Sequence, residues 1–209
     1  MKQLLIIRHA KSSLDALTDF DRPLNNRGQM EAAEMAQKLI AENITVDAFI
    51  SSPALRAIST ASYFLEAFQQ KGKLLYNQIS EAPELYDAEL DTFFHVTEKL
   101  DDAIQSAALF SHNPGITEFA YKCSAFKQEI VPMPTCGVVG IAVDAASWKD
   151  FSAAPKHFLF FYSPKKNLNT FFLLFTKNTP AKIHKPASNL VSVKCSPKSH
   201  TAIMAANTG

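Results

Sequence analysis

An arginine and a histidine, Arg8-His9-Ala10, close the apolar run Leu4-Leu5-Ile6-Ile7. At a strand end, a guanidinium can hold a phosphoryl group with its planar fork of donors while a neutral imidazole attacks phosphorus. The dipeptide alone is a weak signal, because a strand-end histidine usually only packs. Its recurrence is the stronger signal. Phe49-Ile50-Ser51-Ser52 leads to Arg56, and Ala108-Leu109-Phe110-Ser111 leads to His112. In an open α/β sheet, ligands bind outside the carboxyl ends of the strands, so three such endings can converge on one anion.

The elements that must position these residues follow from periodicity and punctuation. Residues 3–8 read as a buried strand, and Asn25 or Asn26 caps a helix to about Glu42 with Met30, Ala33, Ala36, Leu39 and Ile40 inward. Asp47 to Ser51 is a second strand. Ser52-Pro53 pairs an N-cap serine with proline at the first helical position, opening a helix whose stripe is Leu55, Ile58, Ala61 or Ser62, Leu65 and Phe68. Residues 73–79 read as a third strand and Glu89 to Leu100 as a helix with Phe93 and Phe94 inward. Ala107 to Ser111 and Asn113-Pro114 repeat the strand, cap and proline order, ahead of a helix carrying Ile116, Phe119, Ala120 and Cys123. Gly137–Val143 and His157–Tyr162 follow with little helix between them. The expected fold is an α/β three-layer sandwich, its mostly parallel central sheet carrying an antiparallel edge.

The chain of 209 residues suits one sizeable core. Cys123, Cys136 and Cys195 are odd in number and widely spaced, as expected of reduced thiols in a cytoplasmic protein. No signal peptide or membrane span is legible. The net charge of +1 conceals an asymmetry. Residues 1–164 hold all 20 acids against 14 Lys and Arg, whereas residues 165–209 hold seven lysines and no acid. The sequence therefore divides into a body, 1–164, and a basic appendage, 165–209, expected to be largely disordered. An acid-free stretch of that length suggests a segment foreign to the body; docking on nucleic acid or an acidic partner is the rival explanation.

Arg8-His9-Ala10-Lys11-Ser12, Asp21-Arg22-Pro23-Leu24, Ser51-Ser52-Pro53-Ala54-Leu55-Arg56-Ala57 with Thr60-Ala61, and His112-Asn113-Pro114-Gly115 together resemble the histidine phosphatase superfamily. Within it the sequence looks most like the small SixA-like phosphohistidine phosphatases, as does Pro134-Thr135-Cys136-Gly137-Val138. The resemblance covers residues 1 to about 164. It implies a phosphoglycerate mutase-like fold and a metal-independent phosphatase without cofactors. It further implies that His9 is the nucleophile, that Arg8 and Arg56 clamp phosphate, and that His112 is the second pocket histidine. Arg22 matches the Arg-Pro-Leu element beside the SixA-like pocket, touching phosphate or supporting a residue that does.

Two departures matter. Many members place Asp after the second histidine as general acid, and here that position is Asn113. Mutase-type members place a glutamate in the segment occupied by Glu81-Ala82-Pro83-Glu84-Leu85-Tyr86, which makes Glu84 a candidate acid at a spacing about one residue off. A missing acid suits an imidazole leaving group, whose reference pKa is about 6.5, better than an alkoxide. The expected substrate is therefore protein phosphohistidine. The alternatives are a small phosphomonoester and a phosphate-binding pseudoenzyme. Nucleic acid is not an expected partner, and specificity is assigned to loops 11–21, 80–90 and 124–135.

Cysteine phosphatase chemistry is excluded by spacing, since Glu129 and Ala142 stand where C-x5-R after Cys123 and Cys136 needs arginine. No Walker A or G-x-G-x-x-G pattern is present. His95, His157, His184 and His200 match no family position.

Overall fold

The computed structural model describes residues 1–72, 76–164 and 166–169, the last four as backbone. Seven strands form one sheet in the order β3-β2-β4-β1-β5-β6-β7. They are β1 (Lys2–Arg8), β2 (Ala48–Ser51), β3 (Ile79–Glu81), β4 (Ser106–Ser111), β5 (Val138–Val143), β6 (Lys156–Ser163) and β7 (Lys166–Asn169). The pairings β1–β4, β2–β4 and β2–β3 are parallel, and β1–β5, β5–β6 and β6–β7 are antiparallel. The antiparallel side is thus three strands wide. The strand read over 73–79 lies instead at 79–81, and residues 73–75 are outside the described part.

Helices cover both faces, as the two-sided burial of β1 requires. Leu4 and Ile6 pack with Phe93, Ile116 and Phe119 of α3 (Leu90–Glu98) and α4 (Gly115–Cys123). Leu5 and Ile7 pack with Ala32, Met35 and Phe64 of α1 (Asn26–Ala41) and α2 (Leu55–Gln69). A strand buried on both faces reads as a continuous apolar run, which is why Leu4 to Ile7 shows no alternation.

The inward stripe of α4 is the expected one, Ile116, Phe119, Ala120 and Cys123. Those of α1 and α2 are rotated. Met30 is 62 % exposed while Glu31, Ala32 and Met35 are buried, and Leu55 is 42 % exposed while Arg56, Ala57, Thr60 and Phe64 are buried. Small alanines on several faces of these helices leave periodicity alone unable to fix the face. Asn25 caps α1, its side-chain oxygen accepting the Gly28 N–H at 2.9 Å. Ser52 does not cap α2, which starts three residues later with no side-chain cap.

Past Ser163 the sheet gains β7; Lys165 and residues 170–209, with Cys195, His184 and His200, lie outside the described residues. Among the described residues no helix is long and apolar enough to cross a membrane.

Candidate active site

Strand register sets the site. Arg8 of β1 pairs with Ser111 of β4, and Ser51 of β2 with Phe110. The next residue on each strand is therefore His9, His112 or Ser52, and all three emerge side by side at the carboxyl edge. Backbone bonds continue the ladder there: His9 N–H to Ser111 C=O at 3.0 Å, Ser52 N–H to Phe110 C=O at 2.9 Å, and Cys136 N–H to His9 C=O at 3.1 Å.

The turn after His9 is fixed from two sides. Thr60 of α2 accepts the Ala10 N–H at 3.0 Å and donates to the Arg56 carbonyl at 2.7 Å. On the other side α1 comes so close that a Cβ on Gly28 would stand 2.0 Å from the Lys11 carbonyl oxygen. Only glycine fits there.

His9 is 8 % exposed, and its Nδ1 lies 2.7 Å from the Ala10 carbonyl oxygen. A carbonyl only accepts, so Nδ1 carries the hydrogen and the lone pair is on Nε2. Burial, opposed by that hydrogen bond and reinforced by the charges of Arg8, Arg56 and Arg22, lowers the His9 pKa to about 4. The ring is neutral at pH 7. His112 is likewise buried, and burial, then His9 and Arg56, lower it to about 3. Its Nε2 is 2.7 Å from the Ser52 hydroxyl. Ser52 Oγ also accepts the Ala54 N–H, so it can donate its own hydrogen to His112 Nε2 and leave Nδ1 protonated.

Three buried side-chain polar atoms lack a partner among the described residues: Arg8 Nε, His112 Nδ1 and Glu31 Oε2. Buried polar atoms are nearly always paired, and two of these three belong to residues flanking His9. Arg8 is held by one terminal nitrogen, Nη1 donating to the Met133 carbonyl at 2.7 Å. Arg56, 5 % exposed in the first turn of α2, donates from Nη1 to the Asp19 carbonyl and from Nη2 to Asp19 Oδ2 at 2.8 Å.

Of the residues singled out in the sequence, His9, Arg8, Arg56 and His112 come together. Arg22 stands behind them. It donates to the Ser13 carbonyl, the Ser12 hydroxyl and Asp19 Oδ1 at 2.8, 2.8 and 2.9 Å. Glu84 does not join the group: it is exposed, with its carboxylate 4.0 Å from Lys99 Nζ. Asn113 is committed to structure, accepting from Thr117 at 2.7 Å and donating to the Met133 carbonyl at 3.2 Å. The first N–H of α2, on Leu55, donates to the Phe20 carbonyl at 3.0 Å, so this helix start presents no free first amide to the site. His157 pairs with Asp144 away from the site.

Sequence reasoning missed Asp19 and Tyr86. Asp19 takes bonds from Arg22, Arg56 and Tyr86, whose hydroxyl lies 3.1 Å from Oδ2. The Arg22 hydrogen bond leads in lowering its pKa to about 2. Asp21, named in the motif, accepts from Thr18 instead. Among the described residues no group of three or more His, Cys, Asp or Glu side chains gathers as a metal site would require.

Residues 4–105 match the model of the histidine phosphatase superfamily, branch 1. Over that stretch the chain is similar to the histidine phosphatase superfamily. Over 74 residues it is 35 % identical to a 2,3-bisphosphoglycerate-dependent phosphoglycerate mutase of Gloeothece citriformis, a match spanning 34 % of this chain and 32 % of the mutase. The chain shares its fold with a protein described as the phosphohistidine phosphatase SixA of Agrobacterium tumefaciens. That likeness has a TM-score of 0.64 at 23 % identity, over 78 % of this chain and 98 % of the other. It also resembles the protein histidine phosphatase SixA in complex with tungstate, with a TM-score of 0.65 at 22 % identity, over 78 % and 97 %. At such identities the two structures establish a common fold, the phosphoglycerate mutase-like sandwich.

Proposed function

We propose that this protein is a metal-independent phosphatase that forms a covalent phosphohistidine on His9 and acts on phosphohistidine in other proteins. One observation carries the reading: a buried, neutral His9 whose Nδ1–H is fixed on Ala10 leaves Nε2 to attack, beside buried nitrogens of Arg8 and His112 without partners among the described residues. Three equatorial oxygens of a transferring phosphoryl group are what such donors serve. The SixA structure of this fold is a complex with tungstate, a tetrahedral oxyanion, which supports an oxyanion site in this chain.

In the proposed reaction His9 Nε2 forms a bond to phosphorus as the substrate's P–N bond breaks. A substrate ring protonated at its distal nitrogen leaves as neutral imidazole, while His9 becomes phosphorylated with its Nδ1–H retained. Water then attacks phosphorus, the His9 P–N bond breaks, and dihydrogen phosphate and neutral His9 result. Neither step draws a proton from a side chain. This suits a site where Asn113 replaces an acid, Glu84 faces Lys99, and Asp19 is held ionised. An alkoxide leaving group would need the proton that none of these supplies.

A protein substrate is also supported by the loop over the site, where Leu14 and Leu17 are 80 % and 103 % exposed and Phe20 is 39 % exposed. Exposed apolar side chains on the loop that bonds to Arg56 through Asp19 suit a macromolecular partner. We place the reaction in the cytoplasm, with body and appendage as separate parts of the chain.

The test compares initial rates on a phosphohistidine peptide and on sugar phosphates, with and without chelator. Faster, chelator-insensitive turnover of the peptide is expected. Preference for a sugar phosphate would assign the chain to small phosphomonoesters, binding without turnover would make it a pseudoenzyme, and loss of activity with chelator would refute the metal-free mechanism.

A further inference from the structure

Both terminal nitrogens of Arg56 are bonded to a single residue, Asp19, through its main-chain and carboxylate oxygens. That carboxylate is ringed by donors from three places: Arg56 on α2, Arg22 after the loop, and the hydroxyl of Tyr86. Three convergent donors around one anion are the arrangement a phosphoryl group would use. Here the protein's own carboxylate fills it, and with a pKa of about 2 it is charged at any working pH.

We infer that Asp19 competes with the phosphoryl group for Arg56, so that binding exchanges a carboxylate for a phosphoryl oxygen at that guanidinium and product release reverses the exchange. The inference rests on the reading of Arg56 as a phosphate ligand. It goes beyond that reading by naming the residue that sets how tightly the anion is held.

The alternative is that Asp19 merely orients Arg56. Three observations favour exchange. The Asp19 side chain is 52 % exposed, and an ion pair with one partner open to water is weakened by solvent screening. A doubly charged phosphoryl group is therefore a stronger partner than a half-exposed carboxylate. The loop carrying Asp19 is weakly packed, residues 14 to 21 being exposed throughout. Finally, Arg22 keeps bonds to Ser12 and Ser13 that do not involve Asp19. The loop's root stays anchored when the carboxylate lets go of Arg56.

The test is calorimetric titration of the full chain with inorganic phosphate at pH 7, for wild type and for Asp19→Asn, Asp19→Ala and Arg56→Ala. Exchange predicts that Asp19→Asn binds phosphate about three- to tenfold tighter, since a competing charge is removed while the shape is kept. Asp19→Ala should tighten in the same direction, and phosphate should become a correspondingly stronger product inhibitor. A purely orienting carboxylate cannot give tighter binding when removed. Unchanged or weaker binding in both variants, with wild type binding normally, overturns the exchange alone. Failure of wild type to bind phosphate, or full binding by Arg56→Ala, overturns the reading of the pocket and the exchange with it.

Discussion

The rings of His9 and His112 lie 5.1 Å apart between centroids and are tilted by 50°. Two imidazoles this close, buried beside Arg8 and Arg56, cannot both carry charge. Burial leads in lowering both, and each of the two arginines adds to it. The result is two neutral imidazoles at physiological pH, with their hydrogens fixed by Ala10 and Ser52. Four expectations follow for the molecule in solution, besides the labelling of His9 itself.

The first concerns the pH–rate profile. Attack requires neutral His9, so kcat/KM should persist well below the ordinary histidine range and fall through an apparent pKa near 4. An acid limb centred at about 6.5, the reference value for histidine, would show that the ring is neither buried nor surrounded by cations as described. The profile is read as an initial rate on a stable phosphodonor, with uncatalysed breakdown subtracted.

Stability should respond to the same groups. Between about 6.5 and 4 the unfolded chain binds protons at positions 9 and 112 that the folded protein refuses, so folding weakens as pH falls through that window. The slope should approach about 1.4 kcal/mol per pH unit for each histidine. Asp19 acts lower: its stabilisation, present above about 3.8, is lost as pH drops towards 2. Denaturant unfolding from pH 7 to 4 should show the decline, and His9→Gln with His112→Gln should flatten it. An equal slope in that double variant would assign the effect to other groups.

Thr60 is the third point of attack. Thr60→Val keeps the shape but leaves the buried Ala10 N–H without its acceptor, a loss of about 1–3 kcal/mol. Since Ala10 also fixes the His9 tautomer, kcat should fall about tenfold or more with little change in KM. Chemical denaturation paired with steady-state kinetics checks both; a variant as stable and as active as wild type would remove Thr60 from the site's support.

How much of this was readable from the chain differs by residue. The ends of β1, β2 and β4 were legible because continuous apolar runs stop at polar residues, and α4 was legible because its stripe is made of large side chains. The faces of α1 and α2 were not, since alanines there let Met30 and Leu55 compete with Met35 and Phe64. Asp19 escaped notice because its partners Arg56 and Tyr86 lie far along the chain, and Asp21 stood nearer the motif. Ser52 looked like a helix cap; its hydroxyl turned out to serve His112. Glu84 fitted by type and approximate spacing, but the 3-10 turn Pro83–Leu85 buries Leu85 and presents Glu84 to solvent.

Gly28 provides the fourth expectation. Its missing side chain admits the Lys11 carbonyl, so Gly28→Ala should force α1 and the His9 turn apart and cost about 1–3 kcal/mol. Activity should drop together with Tm, because Lys11 follows directly on the Ala10 anchor. Thermal unfolding that matches wild type would mean the two segments are not in contact.

The most direct measurement is rapid quenching of the full chain mixed with a radiolabelled phosphohistidine peptide, with the label mapped by residue. An acid-labile, alkali-stable phosphate on His9 that forms and decays at the rate of turnover, and is absent in His9→Ala, is the expected result. Turnover without label on His9, or turnover kept by His9→Ala, would contradict the covalent mechanism outright.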